Sequence, residues 1–171
     1  MSKKSAGLLL FREVSGYLEV LLVHPGGPFW ANKDEGVWSI PKGEFEDNEA
    51  PLEAAKREFE EETGLTPDGE MIPLEPLRQP SGKLVYAWAM KRDVGPAAVK
   101  SNTFTLEWPP KSGQFQEFPE VDRAAWFTVD EAGRKITKGQ AAFLVQLQEK
   151  LGGPRQFLEE GSGAAGNVEY G

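Results

Sequence analysis

Short apolar runs alternate with turn-rich polar segments along this chain, and two of the runs stand close together near its start. AGLLLFR (6–12) and LEVLLVH (18–24) are nearly continuous in apolar residues and are joined by a short polar segment containing Gly16. Such runs predict strands that are mostly buried, and the short connection predicts a hairpin. His24, at the end of the second run, reads as a packed or hydrogen-bonded residue. Residues 25–36 (PGGPFWANKDEG) are loop by composition, and Val37–Pro41 follows as a short extended segment. A helix is predicted next. Asp47 and Asn48 are its cap candidates, Pro51 suits its first turn and Gly64 its end. After a turn-rich stretch from Pro67 to Gly82, strands are expected at 83–91 (KLVYAWAMK), 103–108 (TFTLEW) and 121–127 (VDRAAWF). Trp88 and Trp126 fall in these strand patterns as core residues. Thr128 or Asp130 starts a short helix. Ala141, Leu144, Val145, Leu147 and Leu151 recur at helical spacing, which predicts an amphipathic helix over Thr137–Leu151. This order of elements predicts an α+β fold or a mixed-sheet sandwich.

The length of 171 residues suits one domain with a real core. Residues 1–151 are read as that domain and the Gly/Ala-rich residues 152–171 as a mobile tail. The apolar run near the N-terminus is far too short to cross a membrane, which predicts a cytoplasmic protein. A net charge of −8 disfavours nucleic acid and anionic membranes as partners. A polyanionic ligand would need local lysines, arginines or a bound metal to receive it. The chain has no cysteine and one histidine, so thiolate and multi-histidine metal sites are excluded. Any metal must be held by oxygen, which favours magnesium, manganese or calcium.

One segment changes the picture. GEFEDNEAPLEAAKREFEEETGL, from Gly43 to Leu65, sets Glu58, Glu61 and Glu62 within one and a half turns of the predicted helix. At about 100° per residue, Leu52, Ala55 and Phe59 form the buried stripe. Glu58, Glu61 and Glu62 fall in a sector roughly 100° wide beside that stripe, while Glu53 and Glu60 fall on the far side. Glu58 and Glu62 are i, i+4 neighbours, about 5–6 Å apart at Cβ, a spacing that lets two carboxylates flank a hard cation. The plain alternative is a solvated acidic face.

A resemblance to a known family favours the metal-binding reading. Gly43, Glu49, Arg57, Glu58, Phe59, Glu61, Glu62, Gly64 and Leu65 stand without a gap where the Nudix box has its specified residues. AGLLLFR, LEVLLVHP, WSIPKGEFE and the strand ending Trp126-Phe127 resemble the strands that frame the box, so the resemblance to the Nudix hydrolase family covers about residues 6–130. It implies an α/β/α sandwich around a mixed sheet. It implies hydrolysis of a nucleoside diphosphate linked to another group, with Mg2+ or Mn2+ as cofactor. By the same resemblance Glu58, Glu61 and Glu62 would bind metal, with the carbonyl of Gly43 as a further ligand. Arg57 would hold a catalytic carboxylate in place, and Glu49 would pair with Arg57. An acid outside the box would act as general base; Glu117 is the first candidate and Glu120 the second.

Lys42 is placed to contact phosphate, with Arg78 and Lys83 as further possibilities. Glu120 and Phe118 are candidate substrate contacts, and Trp30, Phe104 and Trp108 are candidates for stacking a base. PKGEFE and the Glu-Phe before the last strand resemble the branch that acts on nucleoside triphosphates and dinucleoside polyphosphates. Pro80 lies about where a proline marks ADP-ribose hydrolases, which keeps that substrate open. A nucleotide sensor without hydrolysis is a further alternative. The expected partner is a small nucleotide, without membrane or nucleic acid.

Overall fold

The structure is a computed structural model, and it describes residues 3–152. Apart from Gly152, the expected C-terminal tail lies outside the described residues. The strands are β1 (Lys4–Val14), β2 (Tyr17–Pro25), β3 (Lys42–Phe45), β4 (Ile72–Pro73), β5 (Leu77–Arg78), β6 (Leu84–Lys91), β7 (Thr103–Glu107), β8 (Phe115–Pro119) and β9 (Val121–Thr128). The helices are α1 (Pro51–Thr63), α2 (Val129–Lys135) and α3 (Ala141–Lys150), with 3₁₀ turns at Pro96–Ala98 and Lys138–Gln140. Seven strands form one sheet along the path β4-β6-β1-β2-β9, with β3 added to β1 and β5 to β6. β1 pairs antiparallel with β2 and parallel with β6, so the sheet is mixed.

The apolar runs are continuous because both faces of this sheet are covered. Leu9, Phe11, Val20 and Leu22 point to one side, where they meet Ala132, Phe143, Leu144 and Leu147 of α2 and α3. Leu8, Leu10 and Leu21 point to the other, against Ala54, Ala55 and Phe59 of α1. The result is the expected α/β/α sandwich around a mixed sheet. No described helix is long and apolar enough to cross a membrane.

Several elements differ from expectation. Val37–Pro41 contributes only isolated bridges at Trp38 and Ser39, and the strand proper begins at Lys42. Helix α1 is capped by neither Asp47 nor Asn48. Its N-cap is Ala50, without a side-chain hydrogen bond, and Pro51 opens the first turn. Proline there forfeits nothing, because its absent N–H would have had no helical partner. Asp47 pairs instead with Lys4. Gly64 ends the helix in the left-handed conformation, as expected. Thr128 starts α2 through a reciprocal capping box with Glu131. The last helix is shorter than expected, and Val145 faces solvent while Phe143, Leu144 and Leu147 are buried. β8 was not foreseen. It pairs only with β7, as a ribbon outside the main sheet.

Candidate functional site

β3 and α1 build the acidic centre together. β3 hangs from the start of β1, with Ala6 opposite Gly43, and the chain then turns into α1, which packs on β1 through Ala54, Ala55 and Phe59. That packing lays Glu58 and Glu62 along the backbone of β3. A Cβ on Gly43 would come within 1.9 Å of Glu58 Oε1, so only glycine allows this carboxylate to lie there. The backbone N–H of Lys42 donates to Glu62 Oε1 at 3.2 Å. Glu53 and Glu60 are exposed, as their helical angles predict.

Arg57 orders the remaining acids. Its guanidinium donates twice to Glu49, at 2.8 and 2.9 Å. Nη1 donates to Glu58 at 2.7 Å and to Glu61 at 3.2 Å. The expected Arg57–Glu49 pair is therefore present, in the forked geometry that lysine does not offer.

The charges of this centre are under strain. Burial pushes the Glu62 carboxyl up to about 8, against the opposing pull of the Lys42 N–H and ammonium. Burial also raises Glu58, opposed chiefly by its bond from Arg57. Glu120 is raised by partial desolvation and then by the charge of Glu61. It also acts on Glu58 and Glu62, so four carboxylates share one electrostatic field. Among the described residues no three such side chains already converge as a ready-made metal cage. The donor set is nonetheless all oxygen, and the crowded negative charge is what a hard dication offsets.

Of the two outer acids, Glu120 is brought to the centre. Its N–H donates to Asn102 O at 2.9 Å, and Asn102 N–H donates to Glu61 O at 2.8 Å. Glu117 stands on β8 opposite Thr105; both outer acids are exposed, so it is the coupling to Glu58, Glu61 and Glu62 that sets Glu120 apart. Among the described residues no hydrogen bond or ion pair joins it to the box acids.

Beside the acids lies a cavity of about 520 Å³ whose lining includes Lys42, Lys83, Trp30, Gln79, Pro80 and Gln140. Burial lowers the Lys42 ammonium from its ordinary value, and Lys83 lowers it further. Gln140 sits beneath, fully buried; it accepts from Ile40 N–H and donates to Ser39 Oγ, both at 3.0 Å. Arg78 is turned elsewhere and donates to Gly82 O at 2.9 Å. Phe118 and Phe104 pack on each other, with ring centres 6.0 Å apart. His24 is buried between Asp122 and the carbonyl of Lys33, at 2.9 and 2.7 Å, in keeping with a packed residue. Gln140 escaped sequence reading because a polar side chain in a short helix has no pattern that announces burial, and Gln79, half-buried with its side chain donating to Gly139 O at 2.7 Å, gives no signal in a turn.

Comparison with known proteins agrees with this architecture. Residues 1–147 match the family described as NUDIX domain, and the chain belongs to that family. It is 29% identical over 140 residues to the 8-oxo-(d)GTP phosphatase of Mycolicibacterium smegmatis, covering 75% of this chain and 36% of that protein. It is 36% identical over 101 residues to an octanoyltransferase of Myxococcus xanthus, covering 59% of this chain and 25% of that protein. The chain thus spans about a quarter to a third of the length of these curated relatives. The solved structure of a C. elegans Ap4A hydrolase binary complex aligns with a TM-score of 0.58 at 23% identity, covering 87% of this chain and 97% of that one. That likeness shows the fold.

Proposed function

We propose that the chain is a divalent-metal-dependent Nudix pyrophosphohydrolase acting on a nucleoside polyphosphate, either a nucleoside triphosphate or a dinucleoside polyphosphate. The observation that carries this reading is the meeting of four coupled carboxylates, Glu58, Glu61, Glu62 and Glu120, with a cavity that presents Lys42 and Lys83. Glu58, Glu61 and Glu62 would hold Mg2+ or Mn2+, with the Gly43 carbonyl near by. Such an ion, when bound, offsets phosphate charge and makes water more acidic. Arg57 keeps Glu58 and Glu61 oriented. Lys42 and Lys83 receive phosphate oxygens. Glu120 takes the proton of the attacking water as a new P–O bond forms and the anhydride P–O bond breaks; it replaces Glu117 as first candidate because it faces the box acids.

The names of the Mycolicibacterium and C. elegans proteins favour nucleoside polyphosphates. ADP-ribose stands as a second reading because Pro80 lines the cavity. The complete set of acids with Arg57 favours turnover over sensing. The test is a panel of nucleoside triphosphates, dinucleoside polyphosphates and ADP-ribose, each with magnesium or manganese, with products identified by mass. Binding without products under either metal would favour a sensor and overturn the hydrolase reading.

A further inference from the structure

Two lysines share one cavity, and like charges do not stay together unless the backbone that carries them is held. Lys83 pairs with Glu44 at 3.0 Å, while Lys42 makes no ion pair among the described residues. The segments of both lysines are tied to one short turn, Lys138–Gln140. On one side the buried Gln140 amide accepts from Ile40 N–H and donates to Ser39 Oγ, and Ser39 Oγ donates to Ile40 O at 2.6 Å. Lys42 follows two residues on, and its own N–H donates to Glu62. On the other side Gly139 O accepts from Gln79 Nε2 at 2.7 Å. Gln79 closes the turn that carries Lys83. Its N–H donates to Lys83 O at 2.7 Å, and its O accepts from Gly82 N–H at 2.8 Å. Adjacent residues of one turn thus hold the two segments that bring in the lysines. Both holds are neutral amides, so neither supplies a charge that would compete with phosphate for the ammonium groups.

We infer that the Lys138–Gln140 turn fixes the separation of Lys42 and Lys83, with Gln79 and Gln140 as positioning residues, so that the pair engages two neighbouring phosphates at once. This rests on the reading of the lysines as phosphate receivers and adds what sets their spacing. Gly139 marks the contact. A Cβ there would come within 2.1 Å of Gln79 Oε1, so the amide lies across a bare Cα. Gly139 is not among the glycines with positive φ, so alanine suits its backbone and only the flexible amide must move. Gln140 is more deeply set, because without its amide the N–H of buried Ile40 loses its partner.

Helix α3 supplies a control. The Gln146 amide accepts from Glu75 N–H at 2.6 Å and donates to Glu75 O at 3.1 Å, and neither residue lines the cavity. Binding of methylenediphosphonate and of inorganic phosphate, each with magnesium, should be measured by calorimetry on the full chain and on Gly139→Ala, Gln140→Met and Gln146→Met. Gly139→Ala and Gln140→Met should weaken the diphosphonate about tenfold, as for one lost hydrogen bond to a charged group, and inorganic phosphate by less than about twofold. Gln146→Met should alter neither ligand, although it loses both bonds of its own amide. In a Lys83→Met background Gly139→Ala should cost no further affinity, as a residue acting through Lys83 requires. Equal losses for the two ligands, or additive losses in that background, would overturn the inference. Gly139→Ala carries the test alone if Gln140→Met does not fold. Turnover of the nucleotide panel by the same proteins separates this claim from the hydrolase reading. If the wild type hydrolyses no nucleotide but the diphosphonate loss persists, hydrolysis fails and the positioning stands. If Gly139→Ala binds diphosphonate as the wild type does, the positioning fails whatever the turnover. A wild type that binds no diphosphonate overturns the inference together with the reading of the lysines.

Discussion

Replacing Glu62 by glutamine should make the metal-free protein more stable at alkaline pH. Glu62 is raised from 4.5 to about 8 by burial, so its folded form resists ionisation. Each tenfold change in proton affinity is worth about 1.4 kcal/mol. The shift therefore corresponds to a limit of about 5 kcal/mol, reduced to about 2–4 kcal/mol once water entry and small movements ease the buried charge. The sign follows from linkage. Between 4.5 and about 8 the folded state binds more protons at this site than the unfolded state, so stability present below 4.5 is lost as pH rises through that window. Glutamine stays neutral and keeps its stability. Urea unfolding in EDTA should give closely similar midpoints for wild type and Glu62→Gln at pH 4.5. At pH 8.5 the variant should be more stable by about 2–4 kcal/mol. Magnesium at pH 8.5 should then stabilise the wild type more than the variant, because ligand linkage acts on the state that binds it. A wild type that is as stable as the variant across this range would refute the buried-charge reasoning.

Gly43→Ala should displace Glu58, since the new Cβ would lie 1.9 Å from its Oε1; a loss of about 1–3 kcal/mol in unfolding with a large fall in kcat is expected, and unchanged kinetics would contradict the cradle. Glu120→Gln should slow turnover by about 10²- to 10⁴-fold as the loss of a general base, whereas Glu117→Gln should stay within about twofold; the reverse order in single-turnover rates would return the base to the ribbon. Arg57→Met should remove stabilisation of Glu49, whose carboxyl Arg57 holds below its ordinary value of 4.5. That stabilisation is present above 4.5 and lost as pH falls through the lowered value, so the melting difference between wild type and variant should shrink on acidification; a difference that grows instead would contradict the pairing.

The sequence made the helix legible because i, i+4 spacing is a local property. The division of the glutamates into Glu58, Glu61 and Glu62 against Glu53 and Glu60 needed only 100° per residue. Gly43 and Glu49 were legible through the box, and the structure supplies their physical reasons, a close carboxylate and a forked arginine. The ribbon strand Phe115–Pro119 was not legible, because most of it is exposed and no core sets its alternation. The choice between Glu117 and Glu120 depends on that ribbon and on the hydrogen bonds at its root, which join Asn102 to Glu61. The cavity was only partly legible. Lys42, Lys83 and Trp30 were each named as candidates, but not as neighbours; they and the unforeseen Gln140 come from distant segments that only the sheet topology brings together.

The most direct test is hydrolysis by the wild type, Glu61→Gln and Glu62→Gln, with magnesium titrated from zero and the reaction run in ¹⁸O-labelled water. The wild type should require the metal and place one labelled oxygen on a phosphate product. Both variants should keep their fold by circular dichroism and lose most turnover. Near-normal rates in both variants, or turnover in the wild type that ignores magnesium and manganese, would contradict a metal-dependent centre built on Glu58, Glu61 and Glu62.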